Sequence, residues 1–361
     1  MKALPIERNR IQSAWAGRIS GCQLGKAVEA LANISGLDGL TTYLQQQKAL
    51  PLRDYIPYAG NPLIDLMGKL SCKENIVRSE PDDDINYSVL ALMMLEEYGL
   101  KLTTQNVASY WLRYLPAGRI FTAERCAYNT LLLLTDDLTA YFGLPEGFDL
   151  TECSNNPSSE FIGAQIRADL YGWVCPGQPA LAADLARRDA SLSHRGDGVH
   201  GAAFIAATAA AIPASKTVEQ AIAIAAKEVP NDSEAAEAIR FGSSIVGKDD
   251  AVVRLHERYK ELPVAHVLNN LALVVWGILS HPDDFSAAIG EVVAAGLDTD
   301  CNGATVGGLW GLSGKPIPQH WTKPWNKRVA VDLSGIGEMN IDELINRTVV
   351  IANLIYKETV S

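Results

Sequence analysis

Glu80-Pro81-Asp82-Asp83-Asp84-Ile85-Asn86-Tyr87 opens an apolar-periodic run, and far downstream Gly296-Leu297-Asp298-Thr299-Asp300-Cys301-Asn302-Gly303 opens another. Both read as helix starts, where aspartate complements the macrodipole. One or two acids would serve that purpose. Successive residues on a helix point about 100° apart, so Asp82, Asp83 and Asp84 form no flat plate, but they can surround a cation just beyond the helix end. Taken alone, the first loop is explained equally well by capping and by metal. In the second, Asp300 reads as the N-cap and Asp298 is left spare. Carboxylates brought together repel unless a cation or shared protons hold them. Oxygen-rich sets suit magnesium, manganese or calcium. If the fold joins the two helix starts, the chain has built a metal centre.

Working outward, helical periodicity dominates. Apolar residues recur at three- and four-residue intervals over Ile11–Leu31, Tyr87–Tyr98, Thr104–Tyr114, Ala180–Ala190, Gly201–Ala211, Thr217–Lys227, Ser233–Phe241, Phe285–Ala295 and Ile341–Tyr356. Alternating strand-like runs are scarce. Loop signals fall at Ser35–Gly39, Leu50–Pro62, Gly143–Pro157, Cys175–Pro179, Pro213–Lys216 and Gly314–Pro324, and none has the length or bias of an inter-domain linker. The expectation is an all-α fold, a single compact multi-helix domain over 1–361 with 40–79 as a surface excursion. Gly17, Gly21 and Gly25, spaced by four, predict a close helix neighbour. They do not read as a phosphate loop, since no strand precedes them.

The net charge of −11 argues against a nucleic-acid partner, which needs a basic face. The N-terminus lacks the apolar core of a signal peptide. The longest apolar window, Leu268–Leu279, is too short to span a membrane and reads as a buried helix. The six cysteines show no zinc-ligand spacing, so reduced thiols in the cytoplasm are expected.

The segment Ile162–Gly172 carries Gln165, Arg167 and Asp169. On an α-helix Gln165 and Asp169 share a face while Arg167 points away. Asp169 is therefore expected toward the pocket, and Arg167 toward a carboxylate that holds the fold. His194 reads as an acid–base candidate or, more simply, as a buried histidine anchoring a helix end. Gln165, Asp169, His194 and Asn302 form the candidate substrate-binding set. There is no Gly-x-Ser-x-Gly elbow, and Cys301, in the first turn of its helix, reads as a packing residue before it reads as a nucleophile.

In this order, these segments resemble the ADP-ribosylglycohydrolase family, from the small-residue helix Gly17–Glu29 through Pro81–Gly99 and Ile162–Ala211 to Gly296–Gly311. The family motif Thr-Asp-Asp-Thr falls on Asp82-Asp83-Asp84-Ile85, and Asp-x-Asp-Thr falls on Asp298, Asp300 and Cys301. Aspartate and isoleucine replace the two threonines of the first motif, and cysteine replaces that of the second. The resemblance implies an all-helical domain with two magnesium ions (manganese as a substitute) among Asp82, Asp83, Asp84, Asp298, Asp300 and Cys301. It implies Asp83 and Asp84 as catalytic carboxylates, Asp83 first. A thiol is a poor magnesium ligand, whereas Asp82 would add a hard one. The implied partner is a ribosyl-containing small molecule or an ADP-ribosylated protein, with neither nucleic acid nor membrane. The implied reaction is metal-dependent cleavage of a ribosyl N- or O-glycosidic bond. Two alternatives stand beside it: a nucleoside or small-metabolite ribosyl hydrolase, and a non-catalytic metal- or ligand-binding member.

Overall fold

Gly17, Gly21 and Gly25 find their neighbour in the Thr299–Gly311 helix, called here the Asp300 helix. They lie on the Arg8–Lys26 helix, which runs antiparallel to it. A Cβ built on Gly17 would lie 2.1 Å from the Gly307 carbonyl oxygen, and one on Gly21 would lie 1.9 Å from that of Gly303. The contact is reciprocal, since Gly303, Gly307 and Gly311 face Gly21, Gly17 and Ser13. Two backbones meet with no side chain between them, which only glycine permits. The N-terminal helix is buried from Ile11 to Gly25 apart from Gln12.

The computed structural model describes residues 1–360. The fold is all-α and forms one domain, and the described strands are the short antiparallel pair Arg328–Ala330 and Glu338–Asn340. Among the described residues no helix is long and apolar enough to cross a membrane. The Val267–Ser280 and Phe285–Ala294 helices pack around the Asp300 helix, and Ile341–Val360 covers the first helix.

Three sequence expectations need revision. The first helix stops at Lys26 and a second, Glu29–Gln46, begins after a break at Val28 (φ −127°, ψ 7°), where periodicity suggested one helix through Leu31. The loop signal at Ser35–Gly39 marks only a kink at Gly36 (φ 65°), after which the helix resumes. The 40–79 stretch, read as a surface excursion, sends Leu40, Leu44, Leu52, Tyr55, Ile56 and Ile64 into the core. Its end is tied down as well. Ser79 exchanges backbone hydrogen bonds with Arg328 and Ala330, and Glu80 exchanges two with the buried Gln23 side chain. These ties set the direction from which the first acidic loop enters.

Candidate metal centre

The glycine seam delivers the start of the Asp300 helix to the end of the N-terminal helix, where the Thr299 hydroxyl donates to the Gly25 carbonyl at 2.9 Å. The first acidic loop arrives beside them. Asp82, Asp83, Asp84 and Asp300 each offer a carboxylate oxygen, and these atoms lie within 4.8 Å of one another. The two helix starts meet.

Two stripes on the N-terminal helix organise the meeting. Gly17, Gly21 and Gly25 face the Asp300 helix, while Arg18, Cys22 and Lys26, one residue along, face the first loop. The Arg18 guanidinium, fully buried, donates to the Asp84 carbonyl at 2.8 Å, to Asp84 Oδ1 at 3.1 Å, to Asp169 Oδ2 at 3.1 Å and to the Ile166 carbonyl. Lys26 Nζ donates to Asp82 Oδ2 at 2.6 Å. Burial works against the Lys26 charge, but Asp82, with Cys22 and Asp300 beside it, outweighs it and raises the pKa.

Asp82, one of the four carboxylates that meet, also has partners of its own. It is the N-cap of the Asp83–Tyr98 helix, where its Oδ1 accepts from the Asp84 amide at 3.1 Å and its Oδ2 holds Lys26. Both oxygens are already engaged, and the second charge it adds beside Asp83 and Asp84 is balanced by that lysine. Capping in the Asp300 helix is reversed: Asp298 occupies the N-cap position and makes no side-chain cap, and Asp300 falls in the first turn. Gly296 and Leu297 precede it with φ of 77° and 59°, a left-handed pair that turns the loop sharply and is strained at the leucine.

Several polar atoms are left over. Asp84 Oδ2, Asp300 Oδ1 and Glu29 Oε2 are buried without a hydrogen-bond partner. Burial first, then neighbouring carboxylates, pushes Asp83, Asp84 and Asp300 well above the usual carboxylate range. Glu29 is pushed up to about 8 by burial, then by Asp298 and Asp82. A cluster short of positive charge holds protons, and a divalent cation would replace them. Orphaned, all-acidic and buried, the donor set fits a hard cation. A cavity of about 580 Å³ lies elsewhere between Asn9, Ser13, Trp325 and Ile345, and none of these carboxylates lines it.

The family model described as ADP-ribosylglycohydrolase matches residues 3–351. The chain belongs to the ADP-ribosylglycohydrolase family. That family is metal-dependent and hydrolytic. Among solved structures, one described as an ADP-ribosylglycohydrolase-related protein complex is similar, with a TM-score of 0.50 at 16% identity over 96% of this chain and 99% of that one. At that identity the likeness concerns the fold. No curated protein matches the chain.

The remaining candidates of this family member separate into layers. Ile162–Arg167 is a 3₁₀ helix and Asp169 begins the next short helix, so the α-helical spacing expected for Gln165, Arg167 and Asp169 does not apply. Asp169 is buried and reaches the acid cluster only through Arg18. Arg167 pairs with Glu124 (2.5 Å) and Asp189 (2.7 Å), donates to Ser193 Oγ (2.9 Å) and stacks against Tyr87 and Trp111. His194 shares that network through Ser193 Oγ at 2.8 Å, and no hydrogen bond of its ring reaches the acid cluster. Burial, then Arg167, pushes its pKa well below the usual value, which keeps it neutral. Asn302 donates to Asn270 Oδ1 at 2.7 Å, the same oxygen that accepts from the Asp298 amide, and its own Oδ1 is unpartnered. Gln165 is buried beside Gly201 and Val267 with both amide atoms unpartnered.

Sequence reasoning missed Glu29, Arg18, Lys26 and Asn270. A signal existed for Arg18 and Lys26, which flank Cys22 on the stripe adjacent to the glycines.

Proposed function

We propose that this protein hydrolyses a ribosyl N- or O-glycosidic bond of an ADP-ribosyl conjugate, using magnesium held between the two acidic loops. The observation that carries the reading is the meeting of Asp82, Asp83, Asp84 and Asp300 within 4.8 Å, with one buried, unpartnered oxygen each on Asp84 and Asp300. Six carboxylates (Glu29, Asp82, Asp83, Asp84, Asp298 and Asp300) face two cations, Lys26 and an Arg18 that is shared with Asp169, and the excess of acid suits divalent ions. Glu29, Asp83, Asp84, Asp298 and Asp300 would hold the ions, which when bound supply Lewis-acid polarisation and fix the ribose hydroxyls.

The protein's own groups divide the remaining work. Asp84 is immobilised by Arg18 and presents one free oxygen inward. Asp83 is only partly buried and stands at the mouth, so it can exchange a proton with the leaving group or with an attacking water. Glycosidic cleavage develops oxocarbenium-like positive charge, which adjacent carboxylates stabilise. Asn302 Oδ1 and the Gln165 amide are the unpartnered groups available to orient substrate. All six cysteines are free, as a reducing compartment such as the cytoplasm keeps them.

The test is mass spectrometry of products from a panel of ADP-ribosylated peptides, ADP-ribosyl small molecules and nucleosides, with magnesium or with chelator. Release of ADP-ribose with magnesium alone is expected. Free base from nucleosides with intact ADP-ribosyl conjugates would replace this substrate class, and stabilisation by ligand without turnover would replace catalysis.

A further inference from the structure

The acid cluster has two faces of different chemistry. On one, Asp82, Asp83, Asp84 and Asp300 present oxygen alone; on the other, Asp84, Asp300 and Cys301 present two carboxylate oxygens and a thiol sulfur, again all within 4.8 Å of one another. Asp84, Asp300 and Cys301 are buried, with 0%, 2% and 5% exposure. The unpartnered Asp84 Oδ2 and Asp300 Oδ1 belong to the residues shared by both faces. Cys301 lies three residues into its helix from Asp298, so the helix itself holds the sulfur over the acids.

A second thiol provides a contrast. Cys22 also comes within 4.8 Å of Asp82 and Asp84 oxygens, but both Asp82 oxygens are engaged by Lys26 and by the Asp84 amide. The Cys22 face is closed by that pair, whereas the Cys301 face has open acceptor positions.

Magnesium prefers an octahedron of hard oxygens and keeps much of its water, while thiolate sulfur selects borderline ions. We propose that the Asp84–Asp300–Cys301 face binds a borderline divalent transition metal of the zinc–cobalt class through the Cys301 sulfur, making the centre chemically unequal: oxygen-only on one face, sulfur-ligated on the other. The inference rests on the acid cluster being a metal centre. The metal–sulfur bond forms as the thiol proton passes to the buffer, together with any proton that the ligating carboxyls still hold.

The full-length protein, stripped with chelator, is titrated with cobalt(II) and followed in the near ultraviolet, where sulfur-to-cobalt charge transfer absorbs. The wild type and Cys22→Ser should show the band. Cys301→Thr and Cys301→Ser should lack it and still be stabilised by magnesium, with the preference for cobalt or zinc over magnesium falling at least about tenfold. Circular dichroism identifies which of the two Cys301 variants is folded and usable. Cobalt binding without the band, or a band lost in Cys22→Ser and kept in Cys301→Thr, overturns the sulfur assignment and leaves the metal centre standing. No thermal stabilisation by magnesium, manganese, cobalt or zinc overturns both.

Discussion

Gly21→Ala is the most searching test of how this site is assembled. The new methyl would sit 1.9 Å from the Gly303 carbonyl oxygen and 2.4 Å from its carbon, where ordinary contact begins at 3.4 Å. Both obstacles are backbone, so neither rotates away. Relief requires the two helices to part by about 1.5 Å at that crossing. Overpacking of this kind costs about 1–3 kcal/mol and sometimes more. The displacement matters further on, because Asp300 rides on one helix and Arg18, which fixes Asp84, rides on the other. Metal–ligand distances tolerate about 0.2 Å, several times less than the imposed shift. Denaturant melts of the chelated protein should show a loss of about 3 kcal/mol, and magnesium should no longer raise the melting temperature. Gly118→Ala, where the methyl meets nothing within 4 Å, is the control and should change stability by less than about 1 kcal/mol. A Gly21→Ala protein with wild-type stability and an undiminished magnesium response would refute the argument.

Three further outcomes are expected. Asp300→Asn replaces a carboxyl that the crowded, metal-free cluster keeps from ionising with a neutral amide of the same shape, so it should melt no lower than the wild type in chelator while gaining nothing from magnesium; a wild-type response to magnesium would count against Asp300 as a ligand. Arg167→Met strands Glu124 and Asp189 without their shared cation and should cost about 3–5 kcal/mol in urea melts, a loss below about 1 kcal/mol showing that the network is dispensable. Glu29, raised from 4.5 to about 8, holds a proton in the folded metal-free protein that the unfolded chain has released, so stability in chelator should fall as pH rises from 6.5 to 8 and fall less in Glu29→Gln. His194 acts below 6.5, because its folded pKa is depressed, and does not confuse that window; stability that rises there in chelator would contradict the assignment.

How much of this was legible in the sequence depended on whether the cause was local. The Thr104–Tyr114 helix came out at its observed bounds because Thr103 and Asn106 form a reciprocal capping box at its start. The acid motifs were visible because carboxylate density is a one-dimensional property. The Thr122–Leu134 helix escaped notice, since its last turn exposes Leu132, Leu133 and Leu134 and blurs the periodicity. The α-helical spacing expected from Gln165 to Asp169 failed because nothing in the residue types distinguishes a 3₁₀ turn from an α turn there, although Arg167 does pair with carboxylates as expected. Glu29 escaped for a related reason: a break at Val28, with neither glycine nor proline to mark it, turns its carboxylate toward Asp298. The pairing of Lys26 with Asp82 is a tertiary fact that spacing cannot express.

The burial of the N-terminal helix has a consequence for how the protein is made. That helix leaves the ribosome well before the surface it was shaped to meet, which is encoded 274 residues later, as the Gly25–Thr299 contact measures. At about 5–20 residues per second, the wait is roughly 15–55 s. During it, a segment bearing Ile11, Trp15, Ile19 and Leu24 has neither its glycine-lined partner nor, for Arg18, an acid to pair with until Asp84 emerges. Closure over the first helix therefore waits until Gly311 has emerged, and truncation before Gly311 would leave that helix unsheathed, a natural handle for chaperones and for quality-control proteases.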